Sequence, residues 1–193
     1  MTKVNASVKI VYITEAQKAW LAGIIDGDGC FTISLSKQHN SKQPTLNIWA
    51  QVTVNTKLED KWYLDYIREL TQVGSVYIRQ KGSPQGYAMA SWQTTNFKDA
   101  LFIANLIFPY LVLKRKKAQK FTKILKFWIN SYSPYFNRKV RARMAGQRLR
   151  KQKDVLKIVK VACELNIDRS TRRYKNKLSY KNWVPLIKEW YPE

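Results

Sequence analysis

Apolar and polar positions recur first at helical and then at strand spacing. Thr14 followed by Gln17 is a capping-box pattern, and residues 15–25 read as a helix that ends at a turn carrying Gly27 and Gly29. Its Ala16, Ala19, Ala22 and Gly23 are small, so a neighbouring helix backbone could approach closely. Over residues 31–38 the period changes to two, with Phe31, Ile33 and Leu35 against Thr32, Ser34, Ser36 and Gln38. A polar loop holding His39, Asn40, Lys42 and Pro44 follows. Leu46, Ile48, Ala50 and Val52 then alternate with Asn47, Trp49, Gln51 and Thr53, which predicts a hairpin of two half-buried strands.

Thr56 and Glu59 repeat the capping-box pattern, and Leu58, Trp62, Ile67 and Leu70 follow at helical spacing until Gly74 supplies a stop. Residues 76–81 and 87–93 predict a second hairpin across Gly82, Ser83, Pro84 and Gly86, with Tyr77, Arg79 and Lys81 on one face. A third helix covers residues 97–108 and stops at Pro109. A fourth, over 114–129, is strongly basic and carries Phe121, Leu125 and Trp128 as its apolar stripe.

The order αββαββα, followed by that basic helix, predicts an α+β fold: one antiparallel four-stranded sheet with its helices on one face. The other face stays open and presents Thr32, Ser34, Ser36, Gln38, Asn47, Trp49, Gln51 and Thr53, joined by Tyr77, Arg79 and Lys81. Polar side chains at period two are often simply solvated. Charge changes the picture. Lys and Arg total 35 against 13 Asp and Glu, a formal charge of +22. Such self-repulsion is best explained by a polyanionic partner, and a two-stranded ribbon fits the major groove of DNA.

Beyond residue 130 the composition shifts, so the chain divides into a core over 1–130 and a basic, mostly helical extension over 131–193. The extension holds 17 Lys and Arg against 5 Asp and Glu. Arg138, Lys139 and Arg141 open a basic cluster that is either a solvated linker or a set of phosphate contacts. A helix is expected over residues 155–165.

Several function classes fall away. Cys30, Cys163 and the lone His39 cannot build a structural zinc site, so any metal should be a hard cation on oxygen ligands. The apolar run over 101–113 is broken by Asn105 and Pro109 and is shorter than the roughly 20 residues of a membrane span, so no membrane association is expected. Nor does a secretory signal or a small-molecule site declare itself.

Residues 21–29 read Leu-Ala-Gly-Ile-Ile-Asp-Gly-Asp-Gly. This stretch resembles the motif that names the LAGLIDADG homing endonucleases, and the order of elements along most of residues 14–130 is similar to that family's. Asp26 and Asp28 lie two apart where a helix ends, so they point in different directions. The resemblance implies that Asp28, the second, binds the metal, although an Asp between two glycines can also be a plain turn-former. Packing Ala19 and Gly23 against a twin helix, with Trp20 and Ala22 beside them, would bring two Asp28 carboxylates together, as two-metal cleavage with Mg²⁺ requires. The Gly27 carbonyl, at the frayed helix end, is a further candidate ligand.

The motif occurs once, so the prediction is a C2 homodimer acting on a long, roughly palindromic DNA duplex. The resemblance implies cleavage of both strands with short 3′ overhangs. It also implies an active-site lysine, Lys114, after Phe108-Pro-Tyr-Leu-Val-Leu, where the alternative is one helix-face lysine among Arg115, Lys116 and Lys117. The family often carries a water-positioning Gln at the end of the second strand. Here Val54, Asn55 or Thr56 could stand there, and Asn55 is the polar candidate. Two rivals keep the fold: an RNA-binding intron maturase and a DNA binder without catalysis. The family's habit of being encoded in organelle introns suggests a chloroplast or mitochondrion.

Overall fold

The computed structural model describes residues 12–38, 45–79, 88–130, 151–166 and 179–191. The expected capping box is present: the Gln17 amide donates to Thr14 Oγ1 at 3.3 Å, and the Thr14 amide to Gln17 Oε1 at 2.9 Å. The helix it starts, α1, runs Glu15–Gly27, two residues beyond the expected end, and Asp28 is its C-cap. β1 (Gly29–Gln38) begins at once. Only glycine fits this corner, because a Cβ on Gly29 would stand 2.7 Å from Ile25 Cα.

β2 spans Thr45–Lys57 and pairs with β1 in antiparallel register, Gly29 opposite Val54 and Ser36 opposite Asn47. Here the structure corrects the sequence reading. Thr56 does not cap a helix; it lies in β2 opposite Ala90, and the chain then makes a 3-10 turn (Leu58–Asp60) before α2 (Lys61–Thr71). The local capping signal loses to pairing with a distant strand, which continues as the Leu58 amide donates to the Ala88 carbonyl at 3.0 Å. The stop of α2 also starts earlier than Gly74: Gln72 adopts φ +56° and Gly74 follows with φ +82°. At Gly74 a Cβ would meet Trp92 Nε1 at 2.6 Å, so close packing as well as φ demands glycine.

β3 (Ser75–Arg79) and β4 (Met89–Gln93) form the second hairpin, and the sheet order is β1-β2-β4-β3, all antiparallel. α3 (Phe97–Ile107) is capped by Asn96 and gives way to a 3-10 turn holding Pro109, after which comes α4 (Arg115–Asn130). In the extension, α5 (Gln152–Asn166) is longer than expected at both ends, and α6 (Tyr180–Trp190) was not foreseen as a separate helix.

One hydrophobic core joins these elements. The inward residues of β1 and β2, Phe31, Ile33, Ile48, Val52 and Val54, are buried with Leu21 and Ile25 of α1 and Phe121, Leu125 and Trp128 of α4. Phe31 and Phe121 rings lie 5.3 Å apart. Val155, Ile158, Val159 and Ala162 of α5, with Trp183 and Ile187 of α6, belong to the same cluster. α5 packs on β1 and α4. Burying each large side chain contributes about 1.5–3 kcal/mol, so the described part of the extension stabilises the core directly. Among the described residues no helix is long and apolar enough to cross a membrane.

Candidate active site and nucleic-acid interface

The end of α1 and the start of α4 satisfy each other's backbone. A helix leaves its last carbonyls and first amides without intrahelical partners. The Asp26 carboxylate, in the last turn of α1, accepts from the amides of Val112 at 2.6 Å, Leu113 at 3.1 Å and Lys114 at 2.8 Å, in the turn leading into α4. In return, Lys114 Nζ donates to the carbonyls of Ile25 and Gly27, both at 3.0 Å, and of Asp26. Partial burial works to raise the Asp26 pKa, but the three amides and the Lys114 charge outweigh it, and the carboxyl stays below its ordinary range. Sequence reasoning gave Asp26 no task. An acid in the last turn of a helix opposes the macrodipole, and that misfit was the signal that a partner must exist.

Asp28 is exposed, and so is Gly27. β1 pairing begins at Gly29 opposite Val54, one residue after Asp28, and the next β2 residue, Asn55, is exposed and paired with Ser91. Ser91 pairs in turn with Tyr77, so Asn55, Ser91 and Tyr77 form one row across the open face. Half-buried Tyr63 of α2, near enough to Asp28 to feel its charge, is a residue that sequence reasoning missed. Burial chiefly pushes its phenol pKa up; the hydrogen bond with Thr56 opposes this, and the Asp28 and Asp60 carboxylates add to it. Among the described residues no three His, Cys, Asp or Glu side chains gather as a metal cluster. One protomer offers a cation the Asp28 carboxylate and the Gly27 carbonyl. That set is all oxygen, as a hard cation prefers, but it is short of the six or more ligands such ions take.

The remaining candidates divide. Ser36, Asn47 and Trp49 are exposed, Ser34 and Gln51 half-buried, and Trp49 Nε1 donates to Gln51 Oε1 at 2.8 Å along the strand. Thr32 and Thr53 do not present themselves to solvent as expected; they are 4% and 8% exposed. Thr32 Oγ1 donates to Cys30 Sγ at 3.4 Å. Tyr77 and Arg79 are exposed on β3. Gln38 ends β1, and its side chain lies outside the description, as do Lys81, Arg138, Lys139 and Arg141.

On α1 the exposed small residues are Ala16, Ala19, Gly23 and Gly27, which fall on one stripe. A Cβ added at Gly23 or Gly27 would meet nothing within 4 Å, so the stripe has open space before it. Ala22 was expected on that stripe, but it is fully buried and serves the protomer's own core. Trp20 is half-buried and packs edge-on against Tyr66, with ring centroids 5.2 Å apart. Beside the helix end, Val112 and Leu113 are 78% and 79% exposed.

Solved structures share this fold. The homing endonuclease I-CvuI, crystallised with DNA, superposes with a TM-score of 0.67 at 18% identity, covering 90% of this chain and 93% of that one. The archaeal intron-encoded homing endonuclease I-Vdi141I, complexed with DNA, gives 0.67 at 16% identity, with 91% and 96% covered. The group I intron-encoded homing endonuclease I-CeuI, also complexed with DNA, gives 0.67 at 18%, with 92% and 78% covered. No curated protein matches the sequence. The model of the LAGLIDADG endonuclease family matches residues 21–128, more than half of the chain, from its first leucine on α1 to Trp128 on α4. With the Asp26–Lys114 clamp between α1 and α4, the open face and Asp28 all inside that span, the chain belongs to the LAGLIDADG endonuclease family.

Proposed function

We propose that this chain is a site-specific endonuclease that works as a homodimer and hydrolyses phosphodiester bonds of double-stranded DNA with Mg²⁺. One observation carries it: exposed Asp28 stands at the end of a helix whose exposed stripe of Ala16, Ala19, Gly23 and Gly27 leaves room for a twin. Packing two copies along that stripe, in an isologous C2 contact flanked by Trp20, Val112 and Leu113, brings two Asp28 carboxylates together. Asp28 and the Gly27 carbonyl would hold the ions, with water and phosphate oxygens completing their shells. Divalent cations held there would supply Lewis-acid stabilisation to the attacking and leaving oxygens of the displacement.

The chain's own groups do the rest. Lys114, fixed over the carbonyl end of α1, offsets negative charge that develops on the scissile phosphate. Asn55, exposed on β2 next to the partner of Gly29, offers an amide to orient water or phosphate. Ser34, Ser36, Asn47, Trp49, Gln51, Tyr77 and Arg79 meet the duplex. On β2 the stretch from Asn47 to Lys57 spans roughly 34 Å, about one turn of B-DNA, so two protomers suit a pseudo-palindromic target of about two turns. I-CvuI structures with target DNA in the presence of Mg or Ca support the metal, and the intron-encoded relatives support a role in intron mobility. An organelle address follows the family's habit.

The test incubates the protein with a randomised duplex library and Mg²⁺, beside Asp28→Asn. Wild type should make double-strand breaks, while Asp28→Asn binds the same duplexes and leaves them whole. Breaks from neither protein, equal cutting by both, or a monomer by light scattering would each defeat the proposal.

A further inference from the structure

The helices covering the sheet build a second basic surface that faces the other way. α4 carries Arg115, Lys116, Lys117, Lys120, Lys123 and Lys126 and not one acid. Its Ala118, Phe121, Leu125 and Trp128 are buried, with Phe121 against Phe31 on the inner face of β1. At 3.6 residues per turn, Lys116, Lys120, Lys123 and Lys126 then lie on the side pointing away from the sheet, and all four are exposed. α5 repeats the arrangement: Val155, Val159 and Ala162 turn inward, and Lys153, Lys157 and Lys160 outward.

The two helices run antiparallel, side by side. Lys120 Nζ lies 3.8 Å from Glu164, and Lys157 Nζ stands 4.3 Å from the centroid of the Phe127 ring. Their lysines therefore form one array. Like charges three and four residues apart destabilise a helix, and beyond the Lys120 and Lys157 contacts no ion pair among the described residues offsets that cost for Lys116, Lys123, Lys126, Lys153 or Lys160.

We infer that the α4–α5 array binds the phosphate backbone of a second segment of duplex DNA. Because it points away from the open face of the sheet, one straight duplex cannot occupy both. Holding two segments lets the protein pass from one to the other while it searches. Lysine arrays suit this task, since backbone contacts carry no sequence information and release counterions. The inference rests on the proposed function only for the first duplex, on the open face.

Binding of a random 30-bp duplex is measured against KCl concentration in EDTA, so cleavage does not enter. One variant, Asn47→Glu with Gln51→Glu, disables the open face. A second adds Lys116→Gln, Lys123→Gln, Lys153→Gln and Lys160→Gln, which spare the Lys120 and Lys157 contacts between the helices. The first variant should still bind. In the second, affinity should fall at least about tenfold and the slope of log K against log salt by up to about 3.6. If the second variant melts early, Lys116→Gln with Lys123→Gln in the open-face background carries the test at half that slope change. Loss of all duplex binding with the open face, or an unchanged slope without the lysines, overturns the inference. So does an RNA hairpin that needs the lysines when the duplex does not. A protein that cuts nothing in Mg²⁺ fails the Asp28 test and can still pass this one.

Discussion

Replacing Asp26 by Asn should cost about 3 kcal/mol of stability. The carboxylate takes three backbone amides, two on Oδ2 and one on Oδ1. Hydrogen bonds to a charged group contribute about 1.5–3 kcal/mol each, which gives roughly 5–9 kcal/mol before any replacement partner is counted. Asn keeps one acceptor and turns an NH₂ toward the remaining amides, while water reaches this half-exposed site and recovers part of the loss, leaving about 2–4 kcal/mol. For a chain of this size, 3 kcal/mol lowers Tm by roughly 6–12 °C. Lys114 should share the loss, since the two side chains hold opposite ends of one joint, and Asp26→Asn with Lys114→Met should cost less than the two separate changes added. The pH dependence has a defined sign. With the folded pKa lowered, the unfolded chain binds more protons as pH falls, so the stabilisation is present above about pH 4 and is lost as pH drops through the folded value. Urea denaturation of both proteins at pH 7 and pH 3 reads this directly. A difference under about 0.5 kcal/mol at pH 7, or one that persists undiminished at pH 3, would refute the clamp.

Two further changes probe the helix that carries the motif. Gly29→Ala pushes a Cβ to within 2.7 Å of Ile25 Cα, a backbone atom that cannot step aside, and should destabilise by several kcal/mol or prevent soluble expression; a melt within 2 °C of wild type would contradict the corner geometry. A Cβ at Gly23 meets nothing within 4 Å in the protomer, so in Gly23→Glu the fold should survive with at most about 1 kcal/mol change, while sedimentation should show the dimer lost. A dimer that persists in Gly23→Glu would remove the stripe from the interface.

What the sequence disclosed was whatever one segment decides by itself. The Thr14–Gln17 capping box, the alternation through Ile33 and Ile48, and the apolar stripe of Phe121, Leu125 and Trp128 are all local patterns, and each appears where it was read. The misreadings involve distant partners. Thr56 and Glu59 look like a helix start until β4 supplies a strand for Thr56 to join. Thr32 and Thr53 alternate as outward residues should, yet both are buried, which the alternation alone cannot reveal. Asp26 answers amides 86 to 88 residues further along, a pairing that no window on α1 contains.

That long-range pairing also explains how one helix end can serve both fold and chemistry. In the proposed dimer, two α1 carbonyl ends and two Asp28 carboxylates converge, and a helix end carries roughly half a negative charge of its own. Such a junction would repel itself. Lys114 places a full positive charge on each carbonyl end, and Asp26 spends its own negative charge on the amides entering α4 instead of on the seam. That leaves Asp28, the exposed carboxylate of the motif, which among the described residues accepts no amide from that turn. Cations drawn to the seam therefore meet a site whose excess negative charge sits on that residue. By joining the end of α1 to the start of α4, the clamp fixes the helix end next to Asp28, as the proposed ligand role requires.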